Sequence, residues 1–163
     1  MQAIANSSVL IALSLIGQLN LLNKRFPEGI LIPQAVWREV VEAAQGRPGS
    51  AEVASASWIR ACSVEDRDLV SVLRIELDEG EAEAIALCRE QSTGQVLLDE
   101  KDARRVARRL GLMVLGTVGL LIWAKRRGLV ASLREQLDAL QIQGKFRLSQ
   151  SGYHEALRAV GEH

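Results

Sequence analysis

The sequence predicts an α/β fold with a central parallel sheet flanked by helices. Three observations carry this. Short apolar runs alternate with longer segments whose apolar residues recur at helical spacing. Gly, Pro, Asn and Asp punctuate the boundaries between them. The chain has 163 residues, 48% of them hydrophobic, enough for one domain with its own core.

Gln2 to Ala5 reads as a short buried strand, and Asn6-Ser7-Ser8 offers N-cap chemistry for a helix beginning near Val9. Leu10, Leu13, Leu15, Leu19 and Leu22 keep an apolar face to about Lys24, with a break at Gly17. Pro27-Glu28-Gly29 is a turn, and Ile30-Leu31-Ile32 a second strand. Pro33 suits the first turn of the next helix, which Val36, Trp37, Val40 and Val41 extend to about Ala44. Gln45 to Ser50 is the clearest loop, and Trp58 to Cys62 a further strand. Asp66 to Ile75 reads as helix, and Asp78-Glu79-Gly80 opens another. Gln95 to Leu98 is a strand, followed by a helix from Glu100 to Leu110 that stops at Gly111. Met113 to Leu115 is the last strand, followed by a helix from Thr117 to Arg127. Helical stretches near Ala131 to Gln143 and Gln150 to Val160 close the chain.

Net charge is zero, so bulk charge names no partner. The distribution is uneven. Residues 1–102 carry 16 acids and 9 bases, while residues 103–163 carry 4 acids and 11 bases. An acidic centre beside a basic rim suits metal and nucleic acid together; uneven solvated faces suit it equally. Cys62 and Cys88 lack metal-ligand spacing and read as reduced, buried thiols in a cytoplasmic protein. Val9 to Ile16 and Val114 to Ala124 are too short for a membrane span, and the first lacks the flanks of a signal peptide.

Asn6, Glu39, Glu81 with Glu83, and Asp99 are the candidate site residues. Asn6 and Asp99 each sit where a strand gives way to a helix, and in a parallel sheet the carboxyl ends of strands share one edge. Crowded carboxylates there call for a cation, a shared proton or basic neighbours. Glu81 and Glu83 lie about 200° apart around a helix axis, so both reach one site only from the helix end. Decoration of a first helical turn accounts for Glu79 and Glu81 as well, and N-capping accounts for Asp99. Arg104, Arg105, Arg108 and Arg109 form two stripes on one helix, and Lys125-Arg126-Arg127 ends the next. Phosphate contact and pairing with local acids or helix dipoles both explain these cations. His154 and His163 stand near the C-terminus, and no nucleophile–base set or glycine-rich phosphate loop appears.

The string Asn6 to Leu13, the segment Pro33 to Val41, the run Asp78 to Leu87, and Leu97-Leu98-Asp99-Glu100 through Arg104 to Gly111 together resemble the PIN-domain superfamily, and within it a prokaryotic subgroup related to VapC toxins. The resemblance implies one PIN-like domain over residues 1–163, a three-layer fold with its core over about 1–130 and a helical tail over about 131–163. It implies a cleft of acids binding Mg²⁺ or Mn²⁺ for hydrolysis of single-stranded RNA. By motif position Asn6 falls at the first acid, Glu39 at the second, Glu81 (with Glu83 beside it) at the third and Asp99 at the fourth. Glu39, Glu81, Glu83 and Asp99 are then the metal ligands, and Arg104, Arg105, Lys125 and Arg126 guide the RNA backbone. A small antitoxin partner and a homodimer are also implied. The departure is Asn6, whose amide oxygen still ligates a hard cation but brings no charge and cannot act as a general base.

Three functions compete on these residues. A metal-dependent ribonuclease uses the acids. A binding module without turnover treats Asn6 as the mark of a decayed site. A DNA-recognition helix uses the arginines, but the chain lacks a convincing helix-turn-helix partner before them.

Overall fold

A computed structural model describes residues 2–92, 94–144 and 146–163. Met1, Thr93 and Lys145, which the expected span of 1–163 includes, lie outside the described residues. Five strands form one sheet: β1 (Ala3–Ala5), β2 (Ile30–Pro33), β3 (Ile59–Cys62), β4 (Gln95–Leu97) and β5 (Met113–Leu115). All neighbours are parallel, in the order β3-β2-β1-β4-β5. Ile4 stands opposite Leu31 on one side and Val96 on the other.

The period-two alternation of the central strands divides the core. Ala3, Ala5, Ile30 and Ile32 face one hydrophobic cluster, whereas Ile4 and Leu31 face the other. The first cluster takes in α1 (Ser7–Leu15), α2 (Asn20–Arg25), α3 (Gln34–Trp37), α4 (Ser50–Ser55), α8 (Thr117–Arg126), α9 (Leu133–Gly144) and α10 (Gln150–Ala159). The second takes in α5 (Arg67–Leu73), α6 (Glu79–Gln91) and α7 (Lys101–Arg109). Helices cover both faces because strands buried on both sides need apolar cover twice, giving three layers. Among the described residues no helix is long and apolar enough to cross a membrane.

Chain order creates the crevice. From β1 the chain steps outward through β2 to β3, then crosses to β4 and β5 on the other side of β1. The direction of winding therefore reverses between β1 and β4, and ligands collect outside the carboxyl ends of such a pair. Asn6 follows β1, and Leu98-Asp99-Glu100 follow β4. The Asn6 N–H donates to the Leu97 carbonyl at 3.1 Å, pinning the two strand ends together.

The structure departs from the sequence reading in four places. Pro33 closes β2 and precedes α3, so it is not inside the helix. The helix expected to run to Ala44 is α-helical only through Trp37, and Arg38–Glu42 is a π turn closed by the Ala43 N–H on the Arg38 carbonyl at 2.7 Å. An extra residue per turn leaves the apolar pattern nearly intact, so the sequence does not reveal it. Ser50 begins α4, a helix absent from the sequence reading. Cys62 is half-buried, unlike Cys88, which is buried.

Candidate functional site

Asn6 has the extended backbone of an N-cap for α1, yet its side chain makes no capping hydrogen bond. Its amide is instead buried at the crevice, 5% exposed. On the opposite wall, α6 begins with a reciprocal capping box. The Glu81 N–H donates to Asp78 Oδ1 at 2.8 Å, and the Asp78 N–H donates to Glu81 Oε1 at 3.1 Å. Between them Gly80 presents no side chain. A Cβ there would lie 3.2 Å from Asn6 Oδ1, 3.6 Å from Asp78 Oδ1 and 3.6 Å from Glu39 Oε2. Three oxygens from three separate elements thus converge on one open space.

Glu39 reaches this point from the π turn. It is exposed, and among the described residues it makes no hydrogen bond or ion pair. π turns re-aim side chains and recur at functional sites. Asn6, Glu39, Asp78, Glu81 and Glu100 line one pocket of about 390 Å³ with Ser7 and Ser8. Asp99 and Glu100 line a second, of about 470 Å³, which shares Ser8, Ile11 and Glu100 with the first. The two form one continuous cleft. Among the described residues the Ser7 and Ser8 hydroxyls in its wall are buried without a partner.

The charges in the cleft oppose one another. Glu81 is nearly buried, and desolvation raises its pKa; its hydrogen bond from the Asp78 N–H works the other way, while the charges of Asp78, Glu100 and Asp102 add to the rise. Asp99 behaves differently. Both its oxygens are held, Oδ1 by the Thr117 N–H and Oδ2 by the Thr117 hydroxyl, each at 2.7 Å. Burial raises its pKa even so, against those two bonds and the nearby Arg104. Asp99 therefore ties β4 to the start of α8, and Glu100 occupies the cap position of α7 without a side-chain bond. The expected N-cap role of Asp99 on α7 is replaced by this tie.

Glu83 is not brought to the cleft. One oxygen accepts from the buried Ala35 N–H at 3.1 Å, and the other pairs with Arg67 at 3.0 Å. The turn of the helix between Glu81 and Glu83 sends the second acid to the back of α6, where it locks α3 and α5 in place. Of the four cations expected to guide RNA, three are engaged elsewhere. Arg105 pairs with Asp102 and Glu76, Lys125 donates to the Ala131 carbonyl, and Arg126 donates to the Ala159 carbonyl. Arg104 lies over Gly116, where a Cβ would be 3.1 Å from its Nη1 and 3.0 Å from Asp99 Oδ1.

Two cleft residues were not among the candidates. In the sequence Asp78 opens one helix and Glu100 opens another, and neither position alone marks a cleft. The signal for Glu100 was its position directly after a strand-end acid.

The donor set fits a hard divalent cation. Every donor is an oxygen, and three of them already face the space left by Gly80. Among the described residues no three Asp, Glu, His or Cys side chains close on one point, so the Asn6 amide and water are needed to complete a shell.

The molecule is thus a doubly wound α/β protein with an oxygen-lined, acidic cleft at its switch point. A family model described as PIN domain matches residues 2–162, and the chain belongs to the PIN-domain family, whose fold is of the nuclease type. The match runs through α9 and α10. No curated protein matches the chain.

Proposed function

We propose that this protein is a cytoplasmic, divalent-metal-dependent endoribonuclease acting on single-stranded RNA. The observation that supports it is the convergence of Asn6, Glu39, Asp78 and Glu81 around Gly80 at the switch point of a PIN-family sheet. Glu39 and Glu81, with Asp99 and Glu100 beyond them, would hold Mg²⁺ or Mn²⁺ directly or through water, and Glu83 leaves the ligand set. A bound divalent ion supplies a more acidic water and charge stabilisation at the attacked phosphate. The Asn6 amide would orient a water at this point but cannot take up its proton.

Cleavage of a mixed single-stranded RNA pool in Mn²⁺, Mg²⁺ or EDTA, beside Glu39→Gln prepared identically, tests the reading. Metal-dependent cutting by the parent, lost in the variant, is the expected result. Equal cutting by both would assign the activity to a contaminant or another site. A VapC-like toxin role, with a small antitoxin and a homodimer, extends this proposal on the sequence resemblance alone; co-expression with a neighbouring short gene tests it.

A second reading, a PIN-like module that binds RNA or protein without turnover, is favoured by Asn6, which removes one negative charge from the first position. RNA binding independent of metal, with no turnover, would select it.

A further inference from the structure

Beyond Glu100 the cleft has a wall that none of the acidic motifs supplies. Phe146 and Arg147, from the segment preceding α10, line the 470 Å³ half together with Asp99 and Glu100. Phe146 is half-buried: it packs on the larger hydrophobic cluster and also lines the cleft. A ring braced in this way is in place before a ligand arrives, so little ordering cost falls on binding. Arg147 is exposed, and among the described residues it pairs with no carboxylate. Among the described residues it is the one basic residue lining these two pockets, whereas Arg105, Lys125 and Arg126 are committed to other partners.

A strand of phosphates laid along Glu39, Glu81 and Glu100 meets repulsion unless a cation stands beside it. An aromatic face next to a guanidinium fork matches the alternation of unpaired base and phosphate in a single strand; a duplex hides its base faces. We propose that Phe146 and Arg147 hold the substrate strand beside the acidic pocket, Phe146 stacking on an unpaired base and Arg147 taking a backbone phosphate. The proposal takes its substrate class from the ribonuclease reading above, and it places a substrate contact in the last fifth of the chain.

The test is fluorescence anisotropy of a labelled, short single-stranded RNA in EDTA and in Ca²⁺, with Arg147→Gln, Phe146→Leu and Phe146→Tyr. Arg147→Gln is expected to lower the slope of log affinity against log salt by about 0.7. Phe146→Leu keeps apolar bulk against the core and is expected to weaken binding about tenfold, while Phe146→Tyr keeps the ring and binds as the parent does. Thermal unfolding checks each variant, and if Phe146→Leu fails to fold, Arg147→Gln carries the test. Parent-like affinity and salt slope in Arg147→Gln and Phe146→Leu would overturn the proposal, as would a parent that binds no RNA in either condition. Cleavage in Mn²⁺ is read separately. Variant-sensitive binding without any cleavage leaves the groove standing and removes the nuclease; cleavage with variant-insensitive binding does the reverse.

Discussion

The acids of the π turn and of α6 do different work. Glu39 touches no other described side chain in an ion pair, so its charge is free for a ligand. Glu39→Gln is expected to weaken Mn²⁺ binding in calorimetry and to change stability by no more than about 0.5 kcal/mol, the usual range for an exposed position. Glu83 presents the reverse case. Glu83→Ala leaves the buried Ala35 N–H without its acceptor and frees Arg67, which is expected to cost about 1–3 kcal/mol in denaturant unfolding. Mn²⁺ affinity in that variant should equal the parent's, and a large loss of affinity with intact stability would return Glu83 to the site. Glu81 gives a pH signature. Its folded pKa is raised by burial and by neighbouring acids, so its stabilising contribution is complete below 4.5, its ordinary value, and is lost as pH rises through the folded pKa. Glu81→Gln keeps an acceptor for the Asp78 N–H but removes the charge. In EDTA it is expected to melt with the parent in acid and above it at neutral pH, and a gap that ignores pH would refute this account.

At the scale of elements, the strands and most helices were legible because buried strands and amphipathic helices leave different periods. The glycines at helix ends were legible too: Gly111 and Gly128 carry positive φ of 79° and 73° just past α7 and α8. What the sequence hid were the pairings made at a distance. Nothing local says that Asp99 will turn to Thr117, eighteen residues on, or that Glu83 will reach Ala35 across forty-eight. The π turn that delivers Glu39 was hidden for a different reason, since one inserted residue leaves Val40 on the apolar side. The same distance rule governs α9. Glu162, almost at the chain end, accepts from the Leu133 and Arg134 N–H groups at 2.6 and 3.1 Å and so caps that helix. Burial alone would raise its pKa, but these bonds, Lys125 and Ser132 outweigh it and hold the carboxyl below its usual range. A depressed folded pKa means stability present above the unfolded value and lost as pH falls through the folded one. Glu162→Ala, which removes both acceptors, is expected to cost about 1 kcal/mol at neutral pH, in line with loss of a cap, and progressively less in acid. Equal melting of parent and variant at pH 7 would show that α9 needs no such cap.

The whole molecule raises the question of whether the last helices are an appendage. Sequence motifs stop near Gly111, and the family resemblance implies a core over about 1–130 with a helical tail. The packing joins the two parts. Leu133, Leu137 and Leu140 are each fully buried in the same cluster as Leu10, Leu13 and Leu120. Ala156 and Leu157 of α10 belong to it as well. Removing α9 and α10 would uncover the faces of α1 and α8, and α1 is the helix whose first turn lines the acidic cleft. Truncation after Leu129 is therefore expected to yield a chain without a cooperative thermal transition and with exposed apolar surface, and not a trimmed, active core. Leu137→Ala makes the same point within the full chain, because burying no leucine there leaves a cavity; a loss of about 2–5 kcal/mol is expected. A truncated protein that melts cooperatively near the parent's midpoint would show that the first 129 residues fold alone. In that case the Phe146–Arg147 wall would belong to a separable element, and the acidic pocket around Gly80 could be assayed without it. If instead both variants fail as expected, the cleft and its far wall are products of one core, and neither half of the cleft exists without the leucines of α9.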